Sequence, residues 1–96
     1  MKDTYTFSNE NGTFVCFLSY ENEEEFAEFL SFVCDKLGLK VPSITETPYA
    51  LVAEFDYGGT VISASYGAEA GCYVRIPPDA GLSARNIIEK CYGQAV

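Results

Sequence analysis

The side chains of this chain that could do chemistry are four cysteines, a pair of carboxylates on one predicted strand, and a run of acids ahead of a predicted helix; histidine is absent. Cys16, Cys34, Cys72 and Cys91 lie far apart and form no CxxC pair. A zinc site built from them would need four separate elements to deliver one thiolate each, whereas structural zinc sites draw on closely spaced ligand pairs. A thiolate nucleophile needs an electropositive neighbour. Only six lysines and arginines are present to supply one, and no imidazole can act as activating base. Each cysteine falls within or beside an apolar face. The pattern therefore predicts four small buried thiols, with no catalytic residue, no metal and no cofactor.

Glu54 and Asp56 stand two apart on a predicted strand, so both project from one sheet face. Paired carboxylates can do acid–base work or hold a metal. No third ligand flanks them, which favours a solvated strand end that can contribute to an acidic binding face. The densest charge is Glu21-Asn22-Glu23-Glu24-Glu25, with Glu28 one turn later. Carboxylates in a first helical turn favour the positive end of the dipole, by roughly 0.3–1 kcal/mol each. The same patch can speed encounter with a cationic partner, and both roles can hold together. Tyr57 and Tyr73, on a predicted turn and an outward strand face, are candidate aromatic anchors, although tyrosine is also an ordinary strand residue. The candidate partner-binding residues are thus Glu23, Glu24, Glu28, Glu54, Asp56, Tyr57 and Tyr73. The glycines of Tyr57-Gly58-Gly59 and of Gly67 to Gly71 match no phosphate-loop pattern and read as turns.

The element that positions most of these groups is a helix predicted over 23–37. Asn22 is a suitable N-cap, and Glu25 three residues on completes a capping-box spacing. Phe26, Phe29, Leu30, Val33 and Leu37 form its apolar stripe. Gly38 suits a left-handed C-terminal cap and Pro42 blocks continuation. Period-two alternation predicts strands over 4–8 and 13–20, joined at Asn11-Gly12. In the second strand Phe14, Cys16, Leu18 and Tyr20 oppose Val15 and Phe17. Both faces are apolar, which predicts an interior or doubly covered strand. A proline-bearing loop over 40–48 leads to strands over 49–56, 60–66 and 72–76, ended by Pro77-Pro78. The small residues of 60–66 predict a strand crowded by a helix. A last short helix opens at Ser83, with Leu82 and Ile87 as a hydrophobic staple. It presents Ile87, Ile88, Cys91 and Tyr92, and Gly93 closes it. The order β-β-α-β-β-β-α predicts a two-layer α+β fold. Its mostly antiparallel sheet has about five strands, with two helices packed on one face.

Ninety-six residues with 48% apolar and 15% aromatic content suit one domain with its own core, spanning 1–96. No run could cross a bilayer and no apolar N-terminal segment resembles a secretion signal, which predicts a reducing, cytoplasmic setting. Fourteen acids against six bases give a net charge of −8. That sign disfavours nucleic acid and anionic membranes and suits a basic protein partner, besides aiding solubility. This profile of length, charge and α+β character resembles the small acidic immunity proteins of bacterial toxin systems, including those of contact-dependent inhibition. The resemblance is one of profile and names no residues. It implies a cytoplasmic, non-enzymatic inhibitor that binds a cationic, nuclease-type toxin one to one and covers its active site. Two other readings stay open: a small regulatory or ligand-binding α+β domain, and an inhibitor that imitates nucleic acid. The expected state is a monomer or a weak dimer.

Overall fold

In the computed structural model, which describes residues 4–68, 70–80 and 84–92, the alternating stretches form one antiparallel sheet and the helical stripe lies across it. The strands are β1 (Thr4–Asn9), β2 (Gly12–Phe17), β3 (Thr45–Glu46), β4 (Ala50–Tyr57), β5 (Thr60–Gly67) and β6 (Gly71–Ile76). The helices are α1 (Phe26–Leu37), entered through a 3-10 turn at Glu23–Glu25, and α2 (Ala84–Tyr92). The sheet order is β1-β2-β6-β5-β4-β3. Hairpins join most neighbours, and only the β2–β6 pair is non-consecutive. Since β2 and β3 lie far apart in that order, α1 carries the chain across the sheet and covers β4 and β5 on the way.

The register sets which side chains meet the helices. Val15, Val74, Ala64 and Ala53 form one cross-strand row. Ile76, Ile62 and Phe55 continue the buried layer. All of these are buried, as are Phe26, Phe29, Leu30, Val33, Cys34 and Leu37 of α1 and Ile87 and Cys91 of α2. One cluster therefore joins both helices to a single sheet face. Ala53 of β4 and Ala64 of β5 are small buried residues on the two strands that α1 contacts. The result is the two-layer α+β fold expected from the element order, with six strands rather than about five.

The sixth strand, β3, lies inside the predicted loop. Thr47 closes a tight turn: its N–H donates to the Ala50 carbonyl (2.9 Å), and its Oγ1 accepts the Ala50 N–H (2.9 Å). That turn folds Thr45 and Glu46 back against Val52 and Leu51. Two paired residues are too few to show any periodicity. The second strand ends at Phe17 instead of Tyr20, because the chain turns there, with Tyr20 N–H donating to the Phe17 carbonyl (3.0 Å).

The start of the helix is held by Glu25, whose Oε1 accepts the backbone N–H groups of Glu21 and Asn22 (both 3.1 Å). At the other end Gly38 adopts φ +75. The N–H groups of Leu39 and Gly38 then reach the carbonyls of Cys34 (2.8 Å) and Asp35 (3.1 Å), a Schellman cap. Gly12, at φ +128, lets the β1–β2 hairpin close against β6, since a Cβ there would run into the Ile76 carbonyl oxygen. The predicted helix start at Ser83, with Leu82, and the closing Gly93 lie outside the described residues. Among the described residues no helix is long and apolar enough to cross a membrane.

Candidate partner-binding site

Both helices pack on one sheet face, and among the described residues no helix covers the opposite face, whose composition is unusual for a solvent-facing surface. Along β1 and β2 the outward side chains are Tyr5, Phe7, Phe14 and Cys16, and β6 adds Tyr73 and Arg75. Their rings form a continuous ladder. Tyr5 and Phe7 have centroids 5.7 Å apart, Phe7 stacks on Phe14 at 4.9 Å, and Phe14 meets Tyr73 at 5.8 Å. Tyr5 and Phe7 remain 58% and 38% exposed. Rings in such contact bury one another's flanks but still offer faces and edges to a partner. Phe7, Phe14, Cys16 and Tyr73, with the backbone of Gly67 and the small Ala68 and Ala70, line a groove of about 340 Å³.

Beyond Ala68 lies a second concavity of about 570 Å³, lined by Glu23, Glu46, Tyr49 and Tyr66 among others. Ala68 borders both. The β5–β6 connection thus separates an aromatic groove on the open face from an acidic cleft on the helix side, where Glu46 pairs with Leu51 and Leu51 with Tyr66. Glu23 comes from the turn before α1 and Glu46 from β3. The crossing of the sheet by α1 and the short β3 hairpin are what bring these two carboxylates to one cleft. Tyr49, at the hairpin turn, is 90% exposed beside them.

The candidate residues read from the sequence fall into separate places. Tyr73 lines the aromatic groove and Glu23 the acidic cleft. Glu24 and Glu28 are exposed on the helix layer and line neither. Glu54 and Asp56 share the open face, as the spacing predicted, but sit towards the far end of β4. Asp56 is six residues from Ala50 of the acidic cleft, ~20 Å along an extended strand. Asp56 Oδ1 accepts the Gly59 N–H (3.0 Å) and so braces the β4–β5 hairpin. Tyr57 is the last residue of β4, not part of the turn. It packs against the core, and its hydroxyl donates to Asn86 Oδ1 of α2 (3.4 Å). Its place is on the helix side of the sheet, away from the open face. Arg75 Nε donates to the Asn11 carbonyl (2.9 Å), tying β6 to the first hairpin.

Sequence reasoning passed over Tyr5, Phe7, Phe14 and Glu46. The signal for Phe14 was present, since β2 is apolar on both faces. That property marked an interior strand, which β2 is, and also an aromatic outer surface.

All four thiols are free and buried. Burial pushes the pKa of Cys16 and Cys34 up from the ordinary 9.0. It pushes Cys72 up to about 12, with the Glu25 charge adding to it. Cys91 is pushed up to about 11 by burial, against an opposing pull from Lys36. A thiol held protonated in this way is a poor nucleophile. It also links stability to pH. A group whose pKa is higher in the fold than in the unfolded chain favours folding while it stays protonated. That contribution is complete below pH 9 and is lost as pH rises towards 11 and 12. Urea denaturation should therefore show stability falling above pH 9, by up to about 1.4 kcal/mol per pH unit for each thiol concerned. Cys72→Ala should make the fall shallower. A slope untouched by that change would place the alkaline sensitivity elsewhere.

Among the described residues no group of three or more His, Cys, Asp or Glu side chains could hold a metal ion. Comparison with protein-family models, curated proteins and solved structures finds no match for this chain.

Proposed function

We propose that this chain is a non-enzymatic inhibitor that binds a basic protein, in the manner of an immunity protein that neutralises a cationic nuclease-type toxin in the cytoplasm. The observation that carries the reading is the aromatic ladder on the open sheet face, with an acidic cleft on the helix side across the β5–β6 connection, on a chain of net charge −8. Aromatic side chains that lose little entropy on binding act as anchors, and carboxylates at their margin steer a cationic partner and fix its orientation. Lysines or arginines of the partner would meet Glu23 and Glu46. Its apolar side chains, or the flat guanidinium of an arginine, would cover Phe14 and Tyr73. The thiols offer no competing chemistry, since burial keeps them protonated.

The class is tested by growth. The product of the adjacent reading frame should be toxic alone and harmless when this chain is expressed with it. An adjacent product that is harmless alone, or that kills equally with and without this chain, would remove the reading.

The electrostatic part has its own test. Changing Glu23, Glu24 and Glu28 together to Gln should slow association with the basic partner by about 10-fold at low salt and flatten its salt dependence, with a smaller change in dissociation. The fold should survive, because these side chains are exposed. Association kinetics equal to those of the parent chain would leave these acids with only their helix-dipole role.

A further inference from the structure

We infer that the chain pairs with a second copy of itself through the outer edge of β1, extending the sheet across a two-fold axis. Edge strands of monomeric proteins are usually short or carry a charge, a proline or a bulge that prevents pairing. The far edge obeys this rule: β3 has two residues, one of them Glu46, and Pro48 stands two positions beyond it. β1 does not. It is six residues long, reads Thr-Tyr-Thr-Phe-Ser-Asn, and pairs in unbroken register with β2. Among the described residues nothing lies on its other side.

The backbone assigns a register. Asn9 and Gly12 face each other across the two-residue Glu10-Asn11 loop, and such a closing pair exchanges both hydrogen bonds. Alternation then directs the peptide groups of Phe7 and Tyr5 to β2 and those of Thr4, Thr6 and Ser8 outwards. This outward set is symmetric about Thr6. A second copy placed antiparallel, with Thr6 opposite its own counterpart, sets Thr4 opposite Ser8 and exchanges about six hydrogen bonds. In the same register Tyr5 falls opposite Phe7 of the second copy at a non-hydrogen-bonded position, where side chains approach most closely. The two-fold axis is normal to the sheet, so both helix layers stay on one side. The two aromatic ladders merge into one band.

Charge decides between possible occupants. A cationic partner finds no carboxylate on β1 or on the facing Gly12–Phe17 strand, whereas the acidic cleft at the other side of the sheet offers two. For a second copy, the same absence of charge removes repulsion from the seam of a chain that is −8 overall. One strand pair with its aromatic contacts falls short of the roughly 1,200 Å² total of stable complexes, so the dimer is weak and concentration-dependent.

Sedimentation of the full chain over a concentration series should show mass rising from monomer towards dimer. Thr6→Pro should abolish that rise while leaving the circular dichroism spectrum and melting curve close to the parent's, since the Thr6 N–H faces outwards and bonds nothing within the chain's own ladder. Thr6→Cys should form a disulfide dimer on mild oxidation, because the two Cα atoms would sit about 5.5 Å apart on the axis. Ser8→Cys, facing Thr4, should not. The native thiols are buried and do not confuse the result. A monomer at every concentration, or equal cross-linking of the two cysteine variants, would overturn the proposal. So would Thr6→Pro that leaves self-association intact, or that weakens capture of a basic partner by a chain that stays monomeric.

Discussion

Phe29→Ala is expected to destabilise the fold by about 3–5 kcal/mol, a large fraction of the roughly 5–15 kcal/mol of a domain this size. Phe29 is fully buried on α1 and sits at the centre of the inner aromatic cluster. Its ring meets Phe17 edge-on at 5.1 Å, Tyr20 at 5.5 Å and Phe26 at 6.0 Å. Removing it loses the transfer energy of the ring and opens a cavity whose walls belong to β2, α1 and the turn at Tyr20. These elements are fixed by independent hydrogen bonds and cannot all collapse inwards. Phe32→Ala, one turn along on the half-exposed flank of the same helix, should cost markedly less. Urea denaturation of the two variants checks the contrast. A Phe29→Ala loss no larger than that of Phe32→Ala would mean that the helix–sheet layer is not the main source of stability.

The second large effect concerns binding. Phe14→Ala and Tyr73→Ala should each weaken the complex with the basic partner by about 2 kcal/mol or more, a rise in Kd of about 30-fold. The loss should appear chiefly as faster dissociation. This is the reverse of the pattern expected for the Glu23, Glu24 and Glu28 variants, whose effect lies in association. The two sets therefore report on separate parts of one interface. Both rings lie on the open face, 5.8 Å apart, and neither belongs to the core cluster, so folding should persist. Surface plasmon resonance across the variants separates the rates. Unchanged dissociation for both aromatic variants would show that the open face is not where the partner sits, whatever the helix acids do.

Tyr57 shows how a tyrosine of the same sequence appearance comes to a different use. On the sequence it stands beside two glycines and reads as a turn residue. In the fold it closes β4 opposite Thr60, on the helix side, and its hydroxyl reaches Asn86. Tyr57→Phe should therefore touch the attachment of α2 and leave partner binding alone. Asp56 likewise braces a hairpin through Gly59. The Tyr57 contact was not open to sequence reasoning, because folding brings Asn86 to it from 29 residues away, whereas the Asp56 contact spans only three residues and is ordinary turn chemistry.

The sequence by itself determined the local elements and their faces. The apolar stripe of α1, its Glu25 and Gly38 ends, and the alternation of β4, β5 and β6 all follow from side-chain period and backbone preference, which act within a few residues. Tertiary structure alone decided that β2 pairs with β6, that Thr45 and Glu46 join the sheet, and that Glu23 meets Glu46 in one cleft. It also decided which of the two apolar faces of β2 the helices would cover. Alternation tells a strand that it has two sides, but which side is sealed depends on where α1 and α2 pack, and so on contacts between residues remote in the chain. The face they leave open carries the aromatic ladder.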